Sequence, residues 1–527
     1  MDPSKNLTDE QFENAPVPRA ESSNKLKVGA VGLFGVLFMA VANAAPITAM
    51  TGNVPLAVGY GNGNGAPAGY LVATIVLTLF TIGFVSMARF ITTAGAFYGF
   101  ISQGLGQVWG MASGGLAAMA YIVFEASLIG IFAFFANNAL NEWFSWDVNW
   151  LIIAVIGIIA IALFGYYDIN IAAALLGFFL ICEVILLSLL SLSVLFKGGG
   201  PNGIDASAVN PVNAFKGLAA GTYDGVDVAA GSAAIGLFFA FWSWVGYETT
   251  AVYGEESRNP KRIVPRATLI AVVGLGLFYT FVSWMVIAGN GVDQAIATSA
   301  GSNPIDLFTG LAKENLGGQW VVDIYLLLIV MGSFACALAF HNAASRYIYA
   351  IGREIPMTKS TLGATHGVHH SPHIASATQS VITLLFTLGF YFLTTGGSDP
   401  LQGAYYYMYG LLAVLGTFAI LIVQTICSVA VIWYFQVKKV KPGNIITTGI
   451  IPALGALGMA YVCYLLISNI DFAGGVASVS PFFKAIPYLV VITFLVGLFS
   501  ALYLRARRPE VYSEIGRTVL EETHERV

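Results

Sequence analysis

Three carboxyl side chains, Glu125, Glu183 and Glu248, lie well inside long apolar stretches where no Lys or Arg reaches comparable depth. His341 is the only other titratable group there apart from tyrosines and cysteines. A carboxyl at the centre of a membrane helix costs at least about 2.5 kcal/mol on insertion scales, so each must face a polar cavity or a partner. Glu248 closes the run Trp242-Ser243-Trp244-Val245-Gly246-Tyr247-Glu248, which puts a hydroxyl, a glycine, a phenol and a carboxyl where hydrocarbon belongs. Such a carboxyl can take up and release a proton, or it can serve as a protonated hydrogen-bond donor between helices.

The elements that must position these groups are membrane helices. With 57% hydrophobic and 10% charged residues among 527, the chain departs far from a soluble domain, in which about a quarter of residues are charged. Apolar stretches of about 20 residues read as twelve spans between Val28 and Arg505. Of the 24 Lys and Arg, all but Lys197, Lys216, Lys313 and Lys484 fall on the side of the two termini. By the positive-inside rule that side is cytoplasmic, and the chain is expected to be multi-pass in the plasma membrane. The net charge of −4 points to no further partner, nucleic acid included.

Two of the spans are interrupted. The first contains Asn43-Ala44-Ala45-Pro46-Ile47-Thr48, where the proline removes a backbone donor and clashes with the preceding turn. The sixth is interrupted over Ser243–Gly246, five helices later. Broken backbone at membrane depth is tolerated only where it meets protein or a water-filled cavity. A pair of interruptions in matching places of two halves points to an inverted repeat with its binding site at the midplane.

The run FWSWVGYE followed by EESRNPKRIVPRA resembles the sixth helix and following loop of the amino acid–polyamine–organocation (APC) superfamily of permeases. Residues 93–100, TAGAFYGF, the segment Ser345–Glu354, SRYIYAIGRE, and Pro372-His373-Ile374-Ala375 are similar to further elements of the same permeases, so the likeness covers about Val28 to Gln436. The resemblance implies an all-α membrane protein of twelve helices, a 5+5 inverted repeat of leucine-transporter type with helices one and six broken. The organisation expected is a disordered cytoplasmic tail over 1–24, a transporter core over 25–437 with repeats at about 28–196 and 229–436, helices eleven and twelve over 438–505, and a second tail over 506–527.

Family members place substrate at the two breaks. A zwitterion needs donors for its carboxylate, which the start of the second half of helix one offers through Ile47 and Thr48. It needs acceptors for its ammonium, which the carbonyls of Asn43, Ala44, Trp242 and Val245 offer. Trp242-Ser243 resembles the pair of arginine/agmatine antiporters in which the aromatic covers the substrate, and Trp244 and Tyr247 add aromatic surface. Glu248 aligns with the family's acidic residue of gating and proton coupling. Glu125, on the third helix, is either a counter-ion for an amine substrate or part of an internal hydrogen bond. Helix one here lacks the glycines of many relatives, and helix five lacks the lysine that often replaces sodium in sodium-independent ones.

The remaining motifs read as structure. Cys182, Cys336, Cys427 and Cys463 lie in different apolar spans without CxxC spacing, as packing residues. His366, His369, His370 and His373 form a loop with neither cysteine nor acid nearby, which argues against a metal site. The Gly-rich 60–65 stretch follows a helix and not a strand, so it is a turn and not a phosphate loop. No nucleophile–base or cofactor constellation suggests an enzyme, and no repeated filter suggests a channel. The reading reached is a secondary transporter importing an amino acid with protons; the alternative is a carrier of polyamines or basic amino acids.

Overall fold

Proline decides the first architectural event. In the computed structural model, which describes residues 32–91, 95–166, 169–254, 257–366, 371–394, 399–469 and 480–516, α1 (Leu33–Ala44) stops two residues before Pro46 and α2 (Pro46–Ala57) begins on it. Pro46 suits a first helical position because its missing N–H would be unpaired there anyway. Ala45 between them takes a left-handed conformation, φ 39° and ψ 77°, and its N–H closes α1 on Val41 at 2.9 Å.

The Gly-rich turn leads α2 directly into α3 (Ala66–Ala88). Then come α4 (Phe97–Leu105), the long α5 (Gln107–Phe144), α6 (Trp150–Tyr166) and α7 (Ile169–Lys197). The connection from α7 to the next helix carries a two-stranded antiparallel ribbon, β1 (Gly221–Tyr223) and β2 (Val226–Val228), a small exception to the all-α expectation. α8 (Ala233–Trp242) gives way to turns over 243–246 and a 3-10 helix, Tyr247–Gly254. The chain continues through α9 (Pro260–Asn290), α10 (Val292–Ala300), α11 (Asp306–Leu316), α12 (Gln319–Glu354) and α13 (His373–Leu393). A π-helical segment, Leu401–Leu411, runs into α14 (Leu412–Ile432), followed by α15 (Ile451–Ser468), α16 (Pro481–Arg507) and the short α17 (Pro509–Glu514).

Among the described residues nine helical runs are long and apolar enough to cross a membrane. The number differs from the span count read in the sequence for local reasons. The turn at 58–65 stays helical, so Leu33–Ala88 counts as one run; α6 is a shorter apolar helix; and the sixth apolar stretch is divided into α8 and the 3-10 helix. Exposed Ile152, Ile156, Ile159 and Leu163 on α6, with Leu457, Tyr464, Ile492 and Phe499 on α15 and α16, present an apolar outer face. With its apolar helices, the chain is a multi-pass membrane protein.

α5 lies at the centre, packed on α4, α6, α12, α13, α14, α16 and the π-helical segment. Around it the two interrupted elements exchange partners: α1 packs on the 3-10 helix, and α2 packs on α8. The first half of each thus meets the second half of the other, an antiparallel crossing at the interruptions. Gly246 makes the crossing possible. Its φ is +112°, and a Cβ there would fall 2.6 Å from Asn43 Cβ and 3.0 Å from the Asn43 carbonyl carbon.

Gly246→Ala must therefore strain its own backbone and push the two interruptions apart, at a cost on the order of 1–3 kcal/mol. A clear fall in the thermal midpoint of purified protein in detergent is the expected outcome. Gly274→Ala on α9, where an added Cβ meets nothing within 4 Å, is the control expected to leave the midpoint in place.

Candidate functional site

The helix ends at the crossing expose backbone groups that ordinary helices satisfy internally. At the end of α1, the Ala44 carbonyl accepts from the Tyr279 hydroxyl at 2.9 Å and the Asn43 carbonyl accepts from the Cys336 thiol at 3.1 Å. Asn43 Nδ2 donates to Thr249 Oγ1 at 2.7 Å, and the Thr249 hydroxyl donates to the Gly246 carbonyl at 2.5 Å. At the start of α2, the Ile47 N–H donates to Glu183 Oε2 at 3.4 Å. Thr48 Oγ1 and Asn43 Oδ1 are buried without a hydrogen-bond partner.

On the other side, the Val245 N–H donates to the Trp242 carbonyl at 3.0 Å. The Gly246 N–H donates to Glu248 Oε2 at 3.0 Å, while the Tyr121 hydroxyl donates to Glu248 Oε1 at 2.8 Å. Glu248 thereby ties the interruption to α5.

Between the two lies a small cavity of about 20 Å³, room for roughly one water. Of the residues singled out in the sequence, Asn43, Ala44, Thr48, Trp242, Ser243 and Val245 line it. Asn53 Nδ2 donates to Ser243 Oγ at 2.8 Å, the Tyr409 hydroxyl donates to Asn53 Oδ1, and Trp242 Nε1 donates to the Tyr409 hydroxyl at 3.1 Å. Trp242 stacks on Phe124 with centroids 4.3 Å apart and lies 5.9 Å from Phe340. The cavity is smaller than any amino acid, so admitting one requires these aromatics to move.

Four other singled-out residues do not line it. Ile47 meets Glu183 through its backbone N–H. Tyr247 is fully buried against α3, its hydroxyl 2.9 Å from Thr81 Oγ1, because the turn at 243–246 rotates it away. Glu248 stands behind the wall. Glu125 faces α12 and α13: Oε1 lies 3.1 Å from His341 Nδ1, and Gln379 Nε2 donates to Oε2 at 2.5 Å. His341 Nε2 continues the chain to Ser376 Oγ at 2.7 Å. Of the two roles left open for Glu125, this geometry is that of an internal hydrogen bond. Trp244, also considered, packs on Tyr70 and Tyr279.

Asn53, Leu128, Cys336, Phe340 and Tyr409 line the cavity without having been singled out. Asn53 left a signal, a carboxamide in an apolar run. Tyr409 did not stand out within Tyr405-Tyr406-Tyr407-Met408-Tyr409. A larger cleft of about 460 Å³ lies among α9, α10 and α11, with Asn290, Gln294, Asp306 and Glu314 on its walls, but none of the singled-out residues. All four cysteines are free thiols. Among the described residues no three His, Cys, Asp or Glu side chains converge as a metal site would require; His369 and His370 lie outside them.

A helical membrane protein with a small cavity at two crossed helix interruptions has the architecture of a membrane transport protein. Residues 31–501 match the model of the amino acid permease family, and the chain belongs to that family, within the APC superfamily. It is 28% identical over 296 residues to an uncharacterized transporter of Mycobacterium tuberculosis, covering 56% of this chain and 60% of that protein's length. It is 21% identical over 338 residues to a serine/threonine exchanger of Bacillus subtilis, covering 63% and 69% respectively. A branched-chain amino acid permease of Lactococcus lactis is 22% identical over 307 residues, covering 55% and 62%.

Tyr409→Phe removes the hydroxyl that joins Trp242 to Asn53 and leaves two buried polar groups short of a partner, at about 1–3 kcal/mol. Because Asn53→Ala breaks the same chain, the double variant should lose less stability than the sum of the singles, by roughly 0.5–3 kcal/mol. Thermal unfolding of the four proteins in detergent measures this, and strict additivity would dissolve the network.

Proposed function

We propose that this protein is a secondary active transporter that imports an amino acid across the plasma membrane, driven by protons. In this reading twelve spans form two inverted repeats of five, about 28–196 and 229–436, plus two further helices, with both termini cytoplasmic. The observation that carries it is the antiparallel crossing of two interrupted helices at a cavity walled by Asn43, Ala44, Thr48, Trp242, Ser243 and Val245. Opposite helix-dipole ends brought together there suit an ammonium and a carboxylate held a few atoms apart.

The carboxylate end is the start of α2, with the N–H groups of Ile47 and Thr48 and the unpartnered Thr48 hydroxyl. The ammonium end is the carbonyls of Asn43, Ala44, Trp242 and Val245. Trp242, fixed by Phe124 and Tyr409, is the movable cover over the bound solute. Glu248 acts as gate and coupling group, since its carboxyl joins Tyr121 of α5 to the Gly246 backbone and a change in its protonation alters that link. Rocking of the α1, α2 and α8 elements against α5 and α12 would open the site to one side at a time. A polyamine carrier has less support, since no carboxylate lines the cavity and Glu125 is engaged by His341 and Gln379.

The names of relatives, a histidine permease of Lactococcus lactis among them, suggest where to begin: leucine, serine, threonine and histidine as labelled solutes in proteoliposomes, with putrescine as competitor. An inward proton gradient should drive accumulation of at least one amino acid without sodium. Putrescine should not compete. Ser243→Trp should lower binding at least tenfold in a folded protein by filling the cavity. In Glu248→Gln, accumulation should fail while binding persists in part. Sodium-dependent accumulation would overturn the proton coupling, and unchanged affinity in Ser243→Trp would overturn the site.

A further inference from the structure

Glu183 is fully within the protein, 2% exposed, on α7, and its carboxyl points at the N-terminal end of α2. That helix end is where the proposed function puts the carboxylate of a bound amino acid. The Ile47 N–H reaches Glu183 Oε2 at 3.4 Å, close to the long limit of a hydrogen bond. Across from it, Gly332 of α12 lets the carboxyl in: a Cβ there would lie 2.5 Å from Oε1. The Thr48 hydroxyl, one residue on from Ile47, is buried, unpartnered and part of the cavity wall. The helix end thus faces two ways, toward a carboxylate already in the protein and toward a cavity with an unused hydroxyl.

Among the described residues, nothing else in these surroundings balances a second negative charge. α1 and α2 carry no ionisable side chain, and the groups acting on Glu183 electrostatically from α9 and α12 are Tyr279, Tyr325 and Cys336, none of them a base. On α6 the only ionisable group is Tyr166, at its far, exposed end; on α11 they are Asp306, Lys313 and Glu314, of which Asp306 and Glu314 line the separate cleft. One helix N-terminus carries about half a positive charge, enough to favour one anion and not two. Buried charge without a counter-charge is among the costliest arrangements a protein can hold.

We infer that Glu183 and the substrate's carboxylate compete as anions for the start of α2, so that an amino acid binds only while Glu183 carries a proton. The step balances: where Glu183 is ionised, the Ile47 N–H passes from its Oε2 to the incoming carboxylate and one proton from water goes onto Glu183, leaving the helix end with one negative charge; where Glu183 is already protonated, no proton moves. Each amino acid bound therefore brings one proton with it. This rests on the amino-acid reading of the site and supplies the means by which binding itself becomes proton-linked, while Glu248 governs the conformational step.

The test uses full-length protein in detergent, with whichever of leucine, serine, threonine or histidine the wild type accumulates, and its carboxylate-free amine (isoamylamine, ethanolamine, 1-amino-2-propanol or histamine). On the alkaline side, where Glu183 is ionised before binding, the Kd of the amino acid should rise about tenfold per pH unit, and binding in weak buffer with a pH dye should take up about one proton, as one linked proton requires. Glu183→Gln, neutral at all pH, should bind with no proton uptake and a pH-independent Kd. Glu183→Asp should restore proton uptake with altered affinity. Glu248→Gln should keep pH-dependent binding even where accumulation is lost. The amine, lacking a carboxylate, should show no proton uptake on wild type. Proton uptake undiminished in Glu183→Gln would overturn the inference; so would a pH-independent Kd for the amino acid on the wild type, a result that needs no variant to fold. Failure of the wild type to bind any of the four amino acids would instead overturn the reading of the site.

Discussion

Backbone polar groups cannot be left bare in hydrocarbon, and every feature near the centre of this protein follows from that requirement. Pro46 and the turn at 243–246 each end a helix at depth, and each leaves carbonyls and N–H groups that its own helix cannot satisfy. The structure answers by crossing the two interruptions antiparallel, so that Gly246 lies on Asn43 and Thr249 bridges them. Groups that the crossing does not reach are met from outside it: Tyr279 on Ala44, Cys336 on Asn43, Glu183 on Ile47, Glu248 on Gly246. A site made of helix ends thus comes surrounded by side chains that satisfy what the helices cannot.

The three buried carboxyls show how differently one chemical group is used. Glu125 is held by His341 and Gln379 between α5, α12 and α13, a closed polar chain that ends on Ser376. Glu248 accepts from Tyr121 and from the Gly246 backbone and so links α5 to the interruption at 243–246. Glu183 has a single long bond to a helix end, and of the three it gives up least when it lets go. The aromatic wall has a similar gradation. Trp244 is packed between Tyr70 and Tyr279, whereas Trp242 hangs on one stack and one hydrogen bond beside the cavity.

Much of this was legible in the amino-acid order because membrane chemistry is unforgiving. Long apolar runs, the proline at 46, the glycine at 246 and the acids at 125, 183 and 248 each violate or obey a rule that lipid enforces locally, so the membrane class, the interruptions and six of the cavity residues could be read without a neighbour in sight. The direction in which a side chain points is another matter. Tyr247 and Glu248 are adjacent to the interruption in sequence, yet the turn swings one onto Thr81 and the other onto Tyr121. Glu125 is three residues from Leu128, which lines the cavity, but α5 is enclosed on all sides and helical rotation hands Glu125 to a different neighbour. Asn53 and Tyr409 become partners across 356 positions, and Ile47 and Glu183 across 136. Such pairings depend on how helices rotate and pack against one another, and only the assembled tertiary structure decides that.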